Sequence, residues 1–414
     1  MESPHSSQQK LASSVHSFPE EDLRQSGADN PGYYPARLGQ EFHNEGRYVI
    51  VRKLGWGRYS SVWLARDCRN ERFVTFKILT CEGTRALLDE GPLQRSDEMA
   101  MLEKVARADP AHRGFRHNLA YYKSFDFRGP HGLHRCLVTE TLGFGIEYLR
   151  QEDDPRFGID LTKHVVKQIL LGLEYLHDAC GIVHADLKHD NILFRSGDLE
   201  AVVRMELAEV PSSIYGFTPE LNPPVIPVRS QVLPLSLTRS TKWYDLDVVI
   251  ADLGHSHWQQ RHFQEQIQPL ALRAPEVILG YPWGTSADIW NLGCLLIEWL
   301  TGGWLFRPAQ EELWDIDEDH LARMTEALGE SFEPSLLANC SHRDKFFNPD
   351  GSFAHFTEHK EPTMPLRDLL ETFSIIPDDD IEPTEKFLRR CLQLDPSKRG
   401  AAKELVDDPW FGDM

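Results

Sequence analysis

The sequence contains no apolar run long enough to cross a bilayer: charges interrupt every such stretch well before about 18 residues. It opens on a polar stretch rich in Ser, His and Gln rather than on a basic segment followed by an apolar one, so no secretory leader is expected. Cysteine is sparse, with seven residues at 68, 81, 136, 180, 294, 340 and 391 that never fall in CxxC or Cys/His metal spacing. That pattern argues against a zinc framework and against a secreted disulfide scaffold, and it predicts a reducing location in cytoplasm or nucleus. Basic charge is also short, with 44 Lys and Arg against 64 Asp and Glu and a net charge of -20. A field of that sign repels nucleic acid and anionic membranes, and it attracts basic proteins and peptides. No internal repeat is present.

What remains is a chain of 414 residues, 41% hydrophobic, enough for one large two-lobed domain or two ordinary ones. Residues 1–32 are poor in large apolar groups and are expected to form a disordered tail. From Tyr48 to Leu79, β-branched and aromatic residues alternate around turns, which predicts three consecutive antiparallel strands. The stretch 95–107 places Met99, Leu102 and Val105 near helical spacing, with acids early as the helix dipole prefers. Two further strand-like stretches, LAYYKSFDF and HRCLVTETLG, follow, and helical periodicity dominates from about Leu161. The chain reads as β-rich first and α-rich second. Between about 195 and 245, Pro211, Pro219, Pro223, Pro224, Pro227 and Pro234 argue against a continuous helix or a central strand, and the stretch reads as an insert.

Four polar motifs interrupt this pattern. In LGWGRYSSV, Gly55 and Gly57 sit in a turn between strands, where missing side chains let backbone N–H groups approach phosphates; a plain tight turn explains two glycines as well. Val62 follows where an apolar residue would cover an adenine ring. Lys77 lies in VTFKIL, where apolar neighbours make an unpaired ammonium costly. It either snorkels from an edge strand or pairs with an acid, and Glu98 on the next helix is the candidate that would aim it at the α and β phosphates. In IVHADLKHDNIL, the density of polar groups between apolar strand residues calls for a chemical purpose. Asp186 would orient and deprotonate a substrate hydroxyl, Lys188 would neutralise charge on a migrating phosphoryl group, and Asn191 would ligate Mg²⁺, while His184 is expected to be structural. In IADLG, Asp252 stands at a strand end two residues before a glycine, placed to chelate a metal that bridges phosphates.

Taken in order, the Gly-rich loop, Lys77, Glu98, HADLKHDN, DLG, APE at 274–276 and SADIWNLG resemble the eukaryotic protein kinase set over roughly 48–411. The resemblance implies an α+β bilobal protein kinase fold. Its small β-rich N-lobe (48–142) would carry one main helix, and its larger helical C-lobe (143–411) would carry the insert. It implies ATP and Mg²⁺ as cofactors, with Leu54, Gly55, Trp56, Gly57, Val62, Lys77, Glu98, Glu140 and Leu142 around the nucleotide and Asn191 and Asp252 on the metal. It also implies a Glu276–Arg399 pair and an Asp288 that braces the catalytic loop.

Within the kinases the chain is similar to the SR-protein kinases through LGWG, DLG in place of DFG, and WDIDEDHLARMTEALG at 314–329. That likeness implies a monomeric serine/threonine kinase acting on basic, Arg/Ser-rich proteins such as splicing factors, docked on Asp319 and Glu326; a merely solvated helix face is the competing reading of those two acids.

Three departures matter. Ala185 stands where many kinases carry an arginine that binds a phosphorylated activation segment, and no Ser or Thr lies between Gln259 and Ala274, so basal activity is expected. Pro269, Leu270 and Leu272 replace a threonine, an arginine and an aromatic residue, and Pro269 removes a hydroxyl that would bond the catalytic aspartate. With Ser60 in place of a third glycine, these changes leave a pseudokinase as the alternative to an active enzyme. A small-molecule phosphotransferase fits less well, because APE and DIWNLG are present.

Overall fold

In a computed structural model, residues 20–23, 30–43, 46–89, 94–150, 153–195, 198–215, 226–233 and 243–412 are described. They fall into two compact units, one built from stretches within 1–93, 121–142 and 197–235, and the other from 94–120, 143–196 and 236–414.

The first unit is a six-stranded antiparallel sheet in the order β1-β2-β3-β4-β6-β5. Its strands are β1 (Glu41–Phe42), β2 (Tyr48–Gly57), β3 (Ser60–Asp67), β4 (Arg72–Leu79), β5 (Tyr121–Gly129) and β6 (Gly132–Thr139). The three strands expected from 48 to 79 are β2 to β4, while β1 and a helix at Cys81–Leu88 were not foreseen. Side-chain alternation separates two cores. Trp63, Ala65, Val74, Phe76 and Ile78 join Tyr48, Ile50 and Val138 on one face. Leu64 and Phe73 point to the other face, where they meet Val203 and Leu233 of the insert.

The insert therefore belongs to this sheet. A helix forms at Leu199–Glu209, capped by the Asp198 side chain on the Ala201 N–H, and it ends just before Pro211. Leu199, Val203 and Leu207 recur at helical spacing and turn one stripe toward Leu64 and Phe73. The prolines do rule out a helix through the whole insert, but the expectation overlooked the proline-free turns before Pro211. Residues 196, 197, 216–225 and 234–242 of the insert lie outside the described residues.

Two adjacent cations are buried beside this packing. Register shifts at Ile50/Arg52 and Lys53/Gly55 bulge β2 and let neighbouring side chains turn inward. Arg52, wholly buried, bonds Glu206 at 2.9 Å and the Val210 carbonyl. Lys53, only 2% exposed, bonds Glu20 at 2.6 Å and also Glu21. Of the expected tail, 1–19 and 24–29 lie outside the described residues, whereas 20–23 and 30–32 sit on this unit. Asn30 donates to the Asp22 carbonyl, and Tyr33 donates to the Gly57 carbonyl at the end of β2.

The second unit is helical, with two short ladders that carry its loops. Helix Ser286–Thr301 is buried on nearly all sides, as expected of a sequence apolar all round, and forms the centre. Helix Ile159–Glu174 lies near the expected start at Leu161, and helix Glu98–Arg107 occupies most of the stretch predicted from 95 to 107. The ladders pair β7 (Ile182–Val183) with β10 (His257–Trp258) and β8 (Ile192–Arg195) with β9 (Asp247–Ile250).

Candidate active site

In the sheet unit, direct pairing places Gly55 of β2 opposite Val62 of β3, Val62 opposite Lys77 of β4, and Lys77 opposite Leu137 of β6. Cross-strand partners share a face, so these four residues form one row. Lys77 is half-buried in that row. A Cβ at Gly55 or Gly57 would meet no protein atom within 4 Å, and neither residue has a left-handed φ. Neither packing nor backbone conformation requires glycine there, and the open space above the backbone fits a polyphosphate approaching the N–H groups. Leu54 packs partly against the Leu64 cluster, and Trp56 is exposed with its ring edge-on to Tyr33. Glu140 and the buried Leu142 follow β6. Tyr33, which donates to the Gly57 and Arg58 carbonyls where β2 enters its turn, carries no motif and was missed by sequence reasoning.

In the helical unit, the pairing Ile192↔Ile250 explains why two distant motifs meet. Asn191 precedes β8 and Asp252 follows β9, so antiparallel register brings both to one end of the ladder, where the Ala251 N–H donates to the Asn191 carbonyl at 2.9 Å. Asp186 Oδ2 accepts from Lys188 Nζ at 2.7 Å and from Asn191 Nδ2 at 3.1 Å. Asn191 Nδ2 also donates to the Asp186 carbonyl at 2.8 Å. These bonds fix the carboxylate plane and leave Oδ1 without a protein donor among the described residues. Asp252 holds a left-handed φ of 63° and accepts from the Gly254 N–H at 3.1 Å. Glu98, nearly buried, opens its helix.

The catalytic loop is held from below. Asp288, wholly buried, accepts from the His184 and Ala185 N–H groups and from His177 Nε2, all at 2.8 Å. Burial would raise its pKa, but the bonds and charge of His177 and the loop N–H groups outweigh that and hold it below the usual carboxylate range. Those bonds also over-determine Ala185, whose φ of 63° is unfavourable for a residue with a Cβ. His184 is buried against the Ala251 carbonyl, the structural role expected of it. Glu276 and Arg399 form a bidentate pair at 2.6 and 2.7 Å.

Beside Asp186 lies a cavity of about 200 Å³, lined by Ala185, His255, Gln264, Gln266 and Pro269 among others. Gln268, at a left-handed φ of 68°, pins this wall: its side chain donates to the Ala287 carbonyl and Asn291 Oδ1 and accepts from the Ala274 N–H. No sequence signal distinguished this glutamine from its neighbours.

Of the two acids expected to dock substrate, the structure buries Asp319 and leaves Glu326 partly exposed. Asp319 is fully buried and accepts from Ala309 N, Trp314 Nε1, Arg323 Nε and His359 Nε2. Glu326 accepts from His359 Nδ1 at 2.7 Å and from the Thr363 N–H at 2.8 Å. His359 thus bridges the two acids, and Asp319 presents no free carboxylate to a substrate.

Among the described residues, no group of three or more His, Cys, Asp or Glu side chains could hold a metal ion. One amide and one carboxylate, completed by phosphate oxygens, fit a hard cation that arrives with a nucleotide.

The family described as "Protein kinase domain" matches residues 48–206 and 237–411. The chain is 31% identical to the serine/threonine-protein kinase SRPK of Physarum polycephalum, across 96% of this chain and 93% of that protein. It is 29% identical to protein kinase dsk1 of Schizosaccharomyces pombe, across 92% and 84% respectively. It is 26% identical to SRSF protein kinase 3 of Mus musculus, across 92% and 88%.

Proposed function

Since the chain belongs to the protein kinase family, in its SR-protein-kinase branch, and is a serine/threonine kinase that uses ATP and a divalent cation, we propose the following assignment of metal, residues and substrate. The cation is Mg²⁺, and the acceptors are serines, with some threonines, in basic proteins, Arg/Ser-rich splicing factors among them.

The observation that carries the catalytic assignment is the setting of Asp186. Lys188 and Asn191 occupy Oδ2, and the carboxylate borders the cavity lined by His255, Gln264, Gln266 and Pro269. A serine entering that cavity gives its hydroxyl proton to Asp186 Oδ1 as its oxygen attacks the γ-phosphorus. Lys188 neutralises charge on the phosphoryl group in flight. Lys77, in the row with Gly55 and Val62, holds the α and β phosphates. Asn191 and Asp252 would hold Mg²⁺, which supplies charge neutralisation across the β and γ phosphates when bound. The basic substrate class is supported by the net charge of -20 and by the names of the relatives, not by Asp319. The enzyme acts as a monomer in cytoplasm or nucleus, a location supported by seven cysteines that are all free thiols.

The test is transfer of labelled phosphate from ATP to an Arg/Ser-rich protein with and without Mg²⁺. Incorporation should fall by about 10²–10⁴-fold in Asp186→Ala. Equal incorporation by the wild type and that variant would overturn the assignment and favour a partner-binding pseudokinase.

A further inference from the structure

The chain contains four Arg–Ser dipeptides, at 95–96, 195–196, 229–230 and 239–240, and three of them fall within the insert. Of those three, only Arg229–Ser230 lies wholly among the described residues. Ser230 is partly exposed, and Arg229 beside it lies over the Tyr215 ring at 4.5 Å.

Ser230 also sits at a junction of three chain segments. Its hydroxyl donates to Glu20 Oε2 at 2.7 Å, and its N–H donates to Glu20 Oε1 at 2.7 Å. The same Glu20 Oε2 accepts from Lys53 Nζ at 2.6 Å, and Glu21 meets that ammonium from a second side. Next to Ser230, the Gln231 N–H donates to the Lys53 carbonyl at 2.9 Å. Two carboxyl groups thus gather on one buried ammonium, and Ser230 is bonded to one of them. Burial pushes the Glu21 carboxyl up even with Lys53 beside it, and the junction sets two carboxyl groups against one ammonium.

From this arrangement we propose that Ser230 is an acceptor of this enzyme's own phosphoryl transfer, and that the resulting phosphate releases residues 20–23 from β2. The inference rests on the Arg/Ser-directed reading above. In the step, Ser230 Oγ forms a bond to the γ-phosphorus of ATP bound to a second copy of the enzyme, the bond from that phosphorus to the β–γ bridging oxygen breaks with its electron pair leaving on ADP, and the hydroxyl proton passes to Asp186 of that copy. The phosphate brings about -1.5 to -2 charge into contact with Glu20 and Glu21, and it removes the hydroxyl hydrogen that Glu20 accepts. Like-charge repulsion then opposes the Lys53 bonds of Glu20 and Glu21, and 20–23 gives way. Besides Lys53 and Ser230, 20–23 is held by bonds that include Asn30 to the Asp22 carbonyl and His131 at the Leu23 carbonyl.

The full chain is incubated with ATP and Mg²⁺ beside an Arg/Ser-rich peptide, and phosphorylated residues are mapped by mass spectrometry. Ser230 should gain phosphate in the wild type and none in Asp186→Ala. Hydrogen exchange in peptides covering 20–23 and 226–233 should quicken at least tenfold on modification, and Ser230→Glu should reproduce part of that change. Phosphate on the peptide but none on Ser230 overturns the proposal and leaves the kinase reading standing. Phosphate on Ser230 in Asp186→Ala assigns it to another enzyme and overturns self-modification. Modified Ser230 with unchanged exchange overturns the release. Phosphate on neither overturns the Arg/Ser-directed reading, and this inference with it.

Discussion

Arg399 grips Glu276 through two parallel bonds of 2.6 and 2.7 Å, with neither side chain exposed to water, and its guanidinium lies 4.9 Å from the Trp290 ring centroid. The residues are 123 positions apart, so this clasp ties the helix that begins at Pro275 to the end of the chain. Removing one partner strands a buried charge. Arg399→Ala should destabilise the protein by about 3–5 kcal/mol, and Arg399→Lys, which lacks the fork, should recover only part of it. A urea unfolding midpoint within error of the wild type would contradict this.

Asp288 predicts an acid limit. Its carboxyl is held below the ordinary range when folded, so its contribution to stability is complete above the unfolded-state value of about 4 and disappears as pH falls through the lower folded-state value. Asp288→Asn should unfold more readily at neutral pH and show a shallower loss of stability below about pH 4. Thermal scans from pH 3 to 7 compare the slopes.

Glu298 works in the opposite sense. Burial pushes its carboxyl up to about 7, although Arg150 lies 2.9 Å away and His189 Nε2 lies 3.3 Å from its Oε2. Its stabilising effect is complete below the unfolded-state value, about 4.3, and is lost as pH rises through about 7. Glu298→Gln should flatten the pH dependence of stability between about 5 and 7.5, by roughly 3 kcal/mol at most. An unchanged slope in denaturant titrations at those pH values would count against it.

The Arg52–Glu206 pair fastens the insert helix to β2. Arg52→Leu alone should cost about 3–5 kcal/mol, because Glu206 is left largely buried without its cation. The Arg52→Leu/Glu206→Leu double variant should be more stable than Arg52→Leu. A double-mutant cycle by urea denaturation measures the coupling, and additive losses would mean that the two residues do not interact.

Because His359 fills the space between Asp319 and Glu326, Glu326→Gln should leave the KM for an Arg-rich peptide within about twofold, while Asp319→Asn should lower stability by about 1–3 kcal/mol. A KM that rises tenfold in Glu326→Gln would return that carboxylate to substrate docking.

These outcomes separate what local sequence carries from what it cannot. Asp186, Asn191 and Asp252 were legible because polar groups between apolar strand residues have no packing reason to be there, and the ladder of β8 with β9 then joins them by register. Gly55 and Val62 were legible from the Gly-rich motif, but Gly55 and Gly57, expected in the turn itself, lie at the end of β2, and the turn is formed by Arg58 and Tyr59. Asp319 was misread because its surroundings depend on His359, 40 positions later, which no helix-face argument can foresee. The insert helix was hidden by its neighbours: the Leu199, Val203 and Leu207 spacing is plain once 199–209 is taken alone, but the prolines from 211 onward dominate any average over 195–245. Gln268 and the pairing of Lys53 with Glu20 are long-range or conformational facts with no local trace.

The sheet unit draws on three separated stretches of chain, the last of them ending at 235. During synthesis the six strands have all left the ribosome once Thr139 has emerged, yet Val203, Leu233 and Glu206, which cover Leu64 and Phe73 and neutralise Arg52, follow 60 to 95 residues later. At about 5–20 residues per second, the nascent sheet spends several seconds with an apolar face and a desolvating cation uncovered. That interval is when a chaperone that shields apolar strand surface would have the most to bind, and when this chain is most exposed to aggregation.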